Sequence, residues 1–170
     1  MSEPIGNITQ VGAKVLRQTA QEVPVSEIQT PKFQKIIERM QTVLDQAEDG
    51  AALAAPQISE PWRIFILSPR VFPAGVGETQ PKRVFINPVL INTSKKKERM
   101  EEGCLSVRGK YGTIRRATQA TVRAYDEHSN LFTRGASGLM AQAFQHETDH
   151  LDGTLFIDTA DELWDMPDKK

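Results

Sequence analysis

The stretch Gln145-His146-Glu147-Thr148-Asp149-His150-Leu151-Asp152-Gly153 decides how the chain is read. It carries H-E-x-x-H, the spacing of two metal-binding imidazoles on a helix. Residues four apart lie one turn above each other on one helical face, so His146 and His150 can point at the same ion. Glu147 stands beside the first of them, at the edge of that face, placed to act as a base on water held by the ion. Leu139, Ala143, His146 and His150 share one stripe of the helix. Met140, Phe144 and Leu151 flank that stripe and are expected to bury against sheets. Ser137 is the expected N-cap, and Gly153 ends the helix.

Outward from the helix, the first question is a third ligand. Cys104 is the single cysteine of the chain, so it cannot make an internal disulfide. A lone cysteine is by default a buried structural thiol. With the two histidines, however, it completes three protein ligands. That is the number a catalytic zinc-type site uses while leaving a fourth position for water. No convincing fourth ligand follows from the sequence; His128 is expected exposed in a turn. One sulfur and two nitrogens suit zinc, iron(II), cobalt or nickel, and the residues do not choose among them.

The rest of the chain supplies a scaffold. Thr30-Pro31 opens a helix, with Phe33, Ile36, Ile37, Met40, Val43, Leu44 and Ala47 at helical spacing and Gly50 as its stop. Val11, Val15 and Leu16 form a short amphipathic turn. Gly50-Ala51-Ala52-Leu53-Ala54-Ala55-Pro56-Gln57 is dense in small residues that permit close backbone approach. Alone, it reads as a tight loop ending in an exposed glutamine. Arg63 to Leu67 and Arg83 to Ile86 read as strands, the second broken at Asn87-Pro88 and resumed at Val89 to Ile91. Ser68 to Pro81 is expected to be a loop, a flap over the site. Ser94 to Glu98 is a solvated turn or edge strand. Ala120 to Tyr125 and Leu131 to Thr133 make a hairpin, and Leu155 to Ile157 a last strand. A pairing of Arg116 with Glu102 is expected. The tail from Asp161 is short and polar apart from Trp164 and Met166.

Composition limits the function. The chain has 170 residues, 39% apolar and 25% charged, which suits a single domain, here a metallohydrolase spanning 1–170. The formal net charge of -1 gives no electrostatic case for nucleic-acid or membrane binding. No apolar run is long enough for a membrane span. The start lacks a basic region followed by an apolar core, so no signal peptide is expected. With its one cysteine, the chain is expected in the cytoplasm.

Taken together, Gly50 to Gln57, Glu102-Gly103-Cys104-Leu105-Ser106 and Gln145 to Gly153 resemble the three motifs of the peptide deformylases, in order and rough spacing, over most of residues 10–157. The resemblance implies an α+β fold, with mixed or antiparallel sheets packed around a central helix carrying H-E-x-x-H. It implies hydrolysis of the formyl group from N-formylmethionyl peptides and nascent chains, with transient ribosome contact as a further expectation. Cys104, His146 and His150 would hold one divalent ion, iron(II) natively, with zinc, nickel or cobalt as substitutes. Glu147 would act as general base and then general acid. The Gln57 amide and the Leu105 N–H would meet the oxyanion. Gly50, Ala52, Gly103, Leu139, Gln142 and Ala143 would bind substrate, the last three around the methionine. One departure stands out: the first motif usually reads G-x-G-L-A-A-x-Q, and its second glycine is Ala52 here. A methyl matters there if the backbone needs positive φ or lies flush against peptide. Rival readings are an amidase for another acyl group, a non-catalytic relative, and an endopeptidase in which Cys104 is a core thiol.

Overall fold

The computed structural model of the protein describes residues 7–72 and 81–166. Two helices, α1 (Pro31–Gln46) and α2 (Gly138–Leu151), accompany eight strands. The strands are β1 (Ala52–Ala54), β2 (Ile64–Leu67), β3 (Val84–Thr93), β4 (Lys97–Cys104), β5 (Val107–Ala117), β6 (Gln119–Tyr125), β7 (Leu131–Ser137) and β8 (Glu162–Asp165). They form a five-stranded sheet, β1-β2-β3-β6-β7, and a three-stranded sheet, β4-β5-β8. Every strand pairing is antiparallel.

The larger sheet lies between the two helices, and the period of β2 and β3 shows how. Ile64, Ile66, Val84 and Ile86 point to one face, where Phe33, Ile36, Ile37, Met40 and Leu44 of α1 pack. Phe65, Leu67 and Phe85 point to the other, against Met140, Ala141, Phe144 and Leu151 of α2. Both faces are covered, so the central strands read as continuous apolar runs instead of alternating ones. Phe65 and Phe85 stack at 4.6 Å between ring centroids, and Phe144 sits 5.3 Å from Phe85. Each such side chain contributes roughly 1.5–3 kcal/mol by leaving water. The result is a rigid bed for α2.

Several local expectations are corrected. The Thr30 hydroxyl donates to the Glu27 carbonyl (2.7 Å) and does not cap α1. α1 ends at Gln46, short of Gly50, which instead packs closely, since a Cβ there would lie 2.9 Å from Leu44 Cδ1. Asn87 does not break its strand. It takes φ 51° at a register shift, its side chain exchanges 2.8 Å hydrogen bonds with the Val23 backbone, and β3 continues to Thr93. Asparagine tolerates this left-handed region better than most residues. Ser137 makes no side-chain cap; Gly138 at φ 60° turns the chain into α2. Phe156–Asp158 is a 3₁₀ turn, not a strand, because Asp158 accepts from the Leu155 N–H (2.9 Å) and pairs with Arg17. The polar tail supplies β8, with Trp164 opposite Tyr111. Of the expected flap, Pro69–Val71 is a 3₁₀ turn, and residues 73–80 lie outside the described residues.

Candidate active site

β4 and β5 of the smaller sheet lie along α2, touching it from Gln142 to His150. β4 and β5 form a hairpin whose turn holds Leu105 and Ser106, so Cys104 stands at the last position of β4. His146 and His150 face it from consecutive turns of α2, their ring centroids 4.9 Å apart. Cys104 Sγ lies 3.2 Å from His150 Nε2, and one ligand atom from each of the three residues falls within 4.8 Å of the others. A metal bound at about 2.3 Å by sulfur and about 2.0 Å by nitrogen needs ligand atoms this close. The donor set therefore fits a divalent ion. It remains three-membered among the described residues.

A buried ionic network fixes the first histidine. Glu102 Oε2 lies 2.7 Å from His146 Nδ1. Arg116 donates to both oxygens of Glu102 at 3.1 and 2.7 Å and, through its remaining nitrogen, to Asp149 at 2.7 Å. The Gln142 amide adds a bond to Glu102 at 3.2 Å. Burial alone would raise the Glu102 pKa; the His146 hydrogen bond and charge, helped by Arg116, overcome it and lower it to about 2. The ionised carboxylate only accepts, so His146 Nδ1 must donate, which leaves Nε2 as the nitrogen that a metal would take once it gives up its proton. Burial would also depress His146, but Cys104 and Glu102 together raise it well above its ordinary value. His150 is pushed the other way, well below it, by burial and then by the neighbouring His146 charge. The neutral imidazole is the form that binds metal.

Glu147 is 3% exposed, and its Oε2 has no hydrogen-bond partner among the described residues. Burial raises its pKa to about 7, against the partial opposition of the His146 charge. A carboxylate poised near neutrality and lacking a partner on one oxygen is suited to proton transfer.

Gln57 is not the exposed loop residue that its local sequence suggests. It is 1% exposed, in the 3₁₀ turn Ala55–Ile58. Its Oε1 accepts from the Ala54 N–H (2.9 Å), which aims Nε2 at Ser106 Oγ (3.1 Å) and Cys104 Sγ (3.7 Å). Thr9, Gln10 and Val11 pin the backbone around it: the Thr9 N–H donates to Gln57 O, Gln10 Nε2 to Leu105 O, and the Val11 N–H to Ser106 O.

A cavity of about 480 Å³ opens onto Cys104, His146 and Glu147. Gln57 and Leu105 line it, as do Gly50, Ala52, Gly103, Leu139, Gln142 and Ala143. His150 lies beneath, fully buried. Leu139 is 53% exposed, so it is no core residue, whereas Ala143 serves both cavity and core. Ala52 is a strand residue opposite Leu67 and has no positive φ, so its methyl strains no backbone. At Gly103 the space for a Cβ is filled by the Tyr111 ring, 2.7 Å away. Ser106 and Asp149 were not singled out from sequence as site residues. Asp149 carried a signal, since it is three residues past His146 on the same helix; Ser106 gave none outside its motif.

Comparison with known proteins is decisive once this geometry is in view. The family model described as polypeptide deformylase matches residues 5–165. The chain belongs to that family. A peptide deformylase of Halothermothrix orenii is 42% identical over 155 residues, covering 91% of this chain and 93% of the relative. The chain also resembles peptide deformylase 1A, chloroplastic/mitochondrial, of Arabidopsis thaliana: 40% identical, 86% of this chain and 58% of that protein. A crystal structure of a peptide deformylase from Synechococcus elongatus in complex with actinonin superposes with a TM-score of 0.80 at 32% identity, over 95% of this chain and 82% of that one. A Met-Ala-Ser-bound class I type b peptide deformylase from Acinetobacter baumannii gives 0.80 at 27% identity, over 92% and 99%. The polypeptide deformylases are metal-dependent hydrolases, and this chain removes the formyl group from N-formylmethionyl peptides of newly made proteins. No helix among the described residues is long and apolar enough to cross a membrane.

Proposed function

We propose that Cys104, His146 and His150 hold a divalent ion, natively iron(II), and that Glu147, Gln57 and Leu105 carry the deformylation around it. The approach of three ligand atoms to within 4.8 Å, beside a buried carboxylate with an unpartnered oxygen, carries this reading. A bound divalent ion would supply Lewis acidity, stabilising negative charge on oxygen. Glu147 takes a proton from water as the water oxygen attacks the formyl carbon. It then returns that proton to the amine nitrogen as the C–N bond breaks, leaving formate and a free N-terminus. Gln57 Nε2, its carbonyl end held by Ala54, donates to the oxygen that becomes negative. The Leu105 N–H, at the turn of the β4–β5 hairpin, is assigned the second donor. Leu139, Ala143 and the stem of Gln142 flank the methionine side chain, and Gly50, Ala52 and Gly103 let the peptide lie close. The Met-Ala-Ser ligand of the Acinetobacter relative supports a product-like peptide in this cavity. We place the enzyme in the cytoplasm, acting on chains as they leave the ribosome.

The test is Glu147→Gln. It is expected to bind metal as well as wild type and to lose at least about 10²-fold in kcat, the lower range for general acid–base groups. The assay is anaerobic, with formyl-Met, acetyl-Met and unblocked peptides in parallel. Near-normal turnover by this variant removes the acid–base role. Preference for the acetyl peptide replaces the formyl substrate with another acyl class.

A further inference from the structure

One stretch of the cavity wall is absorbed by neither the metal site nor the methionine side. Cys104 pairs with Val107 and Gly103 with Tyr111, so Arg108, Gly109 and Lys110 of β5 have no partner on β4. This three-residue excursion is a bulge, a device that re-aims side chains beside active sites. It is held out deliberately. Gly109 adopts φ 75°, which glycine alone takes readily. β8 backs it from behind, with the Met166 N–H donating to Gly109 O (2.8 Å) and Lys110 pairing with Asp165 (2.9 Å). Arg108, Gly109, Lys110 and Met166 all line the cavity.

The charges on this wall are unevenly spoken for. Lys110 already has an ion-pair partner in Asp165. Arg108 is exposed and has no hydrogen bond or ion pair among the described residues. The other ionic groups lining the cavity stand elsewhere. Glu102 and His146 pair with each other, and Glu147 lies buried at the metal site. Asp49 precedes Gly50 on the β1 side, and Glu101 faces Thr113, further back along β4. The bulge side thus offers one unneutralised guanidinium to whatever occupies the cavity. An extended peptide advances about 3.3 Å per residue, so about two to four residues beyond the metal site are enough to reach Arg108, the neighbour of Val107, which pairs with Cys104. Its side chains alternate between the two walls.

We propose that Arg108 is a specificity-determining residue, accepting the side-chain carboxylate of an aspartate or glutamate that follows the formyl-methionine. The preference falls on positions of one parity, because the intervening side chain faces the opposite wall. This rests on the cavity holding formylated peptides as described under Proposed function.

The experiment uses the full, metal-loaded chain under anaerobic conditions, with formyl-Met peptides carrying Asp or Asn at the second, third or fourth residue. We expect Asp over Asn by about two- to fivefold in kcat/KM, the range exposed ion pairs give, expressed mainly in KM. The ratio should shrink toward one in about 0.5 M salt. Arg108→Ala should bring it to one and Arg108→Glu should invert it, with unchanged thermal midpoints showing that both variants fold. Hydrolysis of every peptide with Asp and Asn equivalent throughout, or a preference that survives Arg108→Ala, overturns the proposal while leaving the deformylase site intact. No hydrolysis of any formyl peptide overturns that site reading and this one with it.

Discussion

Glu102 faces a histidine, an arginine and an amide at once, and all three are donors. Its charge is therefore worth more folded than unfolded, and the sign of the pH effect follows. A carboxyl held at about 2 against an ordinary 4.5 stabilises the fold above pH 4.5. That stability is lost as pH falls from about 4.5 through about 2. At about 1.4 kcal/mol per unit, the loss is on the order of 3 kcal/mol. Urea unfolding of the metal-free protein should show wild type losing more stability than Glu102→Gln across this window. Parallel curves would mean that the network contributes nothing to the charged form. At this scale the sequence is readable where a covalent rule fixes spacing. His146 and His150 face one way because helices repeat every 3.6 residues, and Cys104 is the one thiol. The aim of Gln57 was hidden, because it depends on Ala54 and Ser106 lying on either side of a buried 3₁₀ turn. The partnership of Glu102 with Arg116 was legible as opposite charges on what became neighbouring strands. Its contact with His146 needed the third dimension.

Helix α2 positions the two proposed histidine ligands and the proposed base, so its ends must be fixed as firmly as its middle. The C-terminal end is anchored by the chain's first described segment: the Ala20 N–H donates to Leu151 O (2.8 Å), and Arg63 reaches the same carbonyl at 3.1 Å. Gly153 makes this docking possible. It takes φ 79°, and a Cβ there would sit 2.6 Å from Arg17 O, a backbone atom that cannot swing away. Gly153→Ala should therefore destabilise by about 1–3 kcal/mol, the range for a forced strained conformation. Denaturant unfolding measures it; a change within about 0.5 kcal/mol would show that the Arg17 segment yields freely. The elements that sequence anticipated carry a helical apolar period, as α1 and α2 do, or a run rich in β-branched and aromatic residues, as β2, the first part of β3 and the β6–β7 hairpin do. β8 escaped because its four residues include Glu162 and Asp165, and only pairing with β5 makes them a strand. Leu155 to Ile157 misled for the opposite reason. The apolar run was real, but Asp158 offered the backbone a local bond that closed a turn. The break expected at Asn87-Pro88 failed because Asn87 satisfies the Val23 backbone from inside the strand.

Across the whole molecule, the three candidate ligands come from different layers. Cys104 belongs to the three-stranded sheet, and the two histidines belong to a helix bedded on the five-stranded one. Within the described residues, Arg116 already ties these layers, holding Glu102 of β4 and Asp149 of α2. A divalent ion at the site would tie them further, and a ligand that binds only the folded state stabilises it by mass action. With metal at about a thousandfold its dissociation constant, the gain is about 4 kcal/mol. At the size of this chain, that raises the thermal midpoint by about 8–16 °C. Anaerobic unfolding scans of chelator-treated and metal-loaded protein should differ by that amount. Cys104→Ala should remove most of the difference, because one layer then contributes no ligand, and the variant's two curves should nearly coincide. A full shift retained by Cys104→Ala would mean that the sheet-side thiol is not a ligand and that the ion adds no tie between the layers.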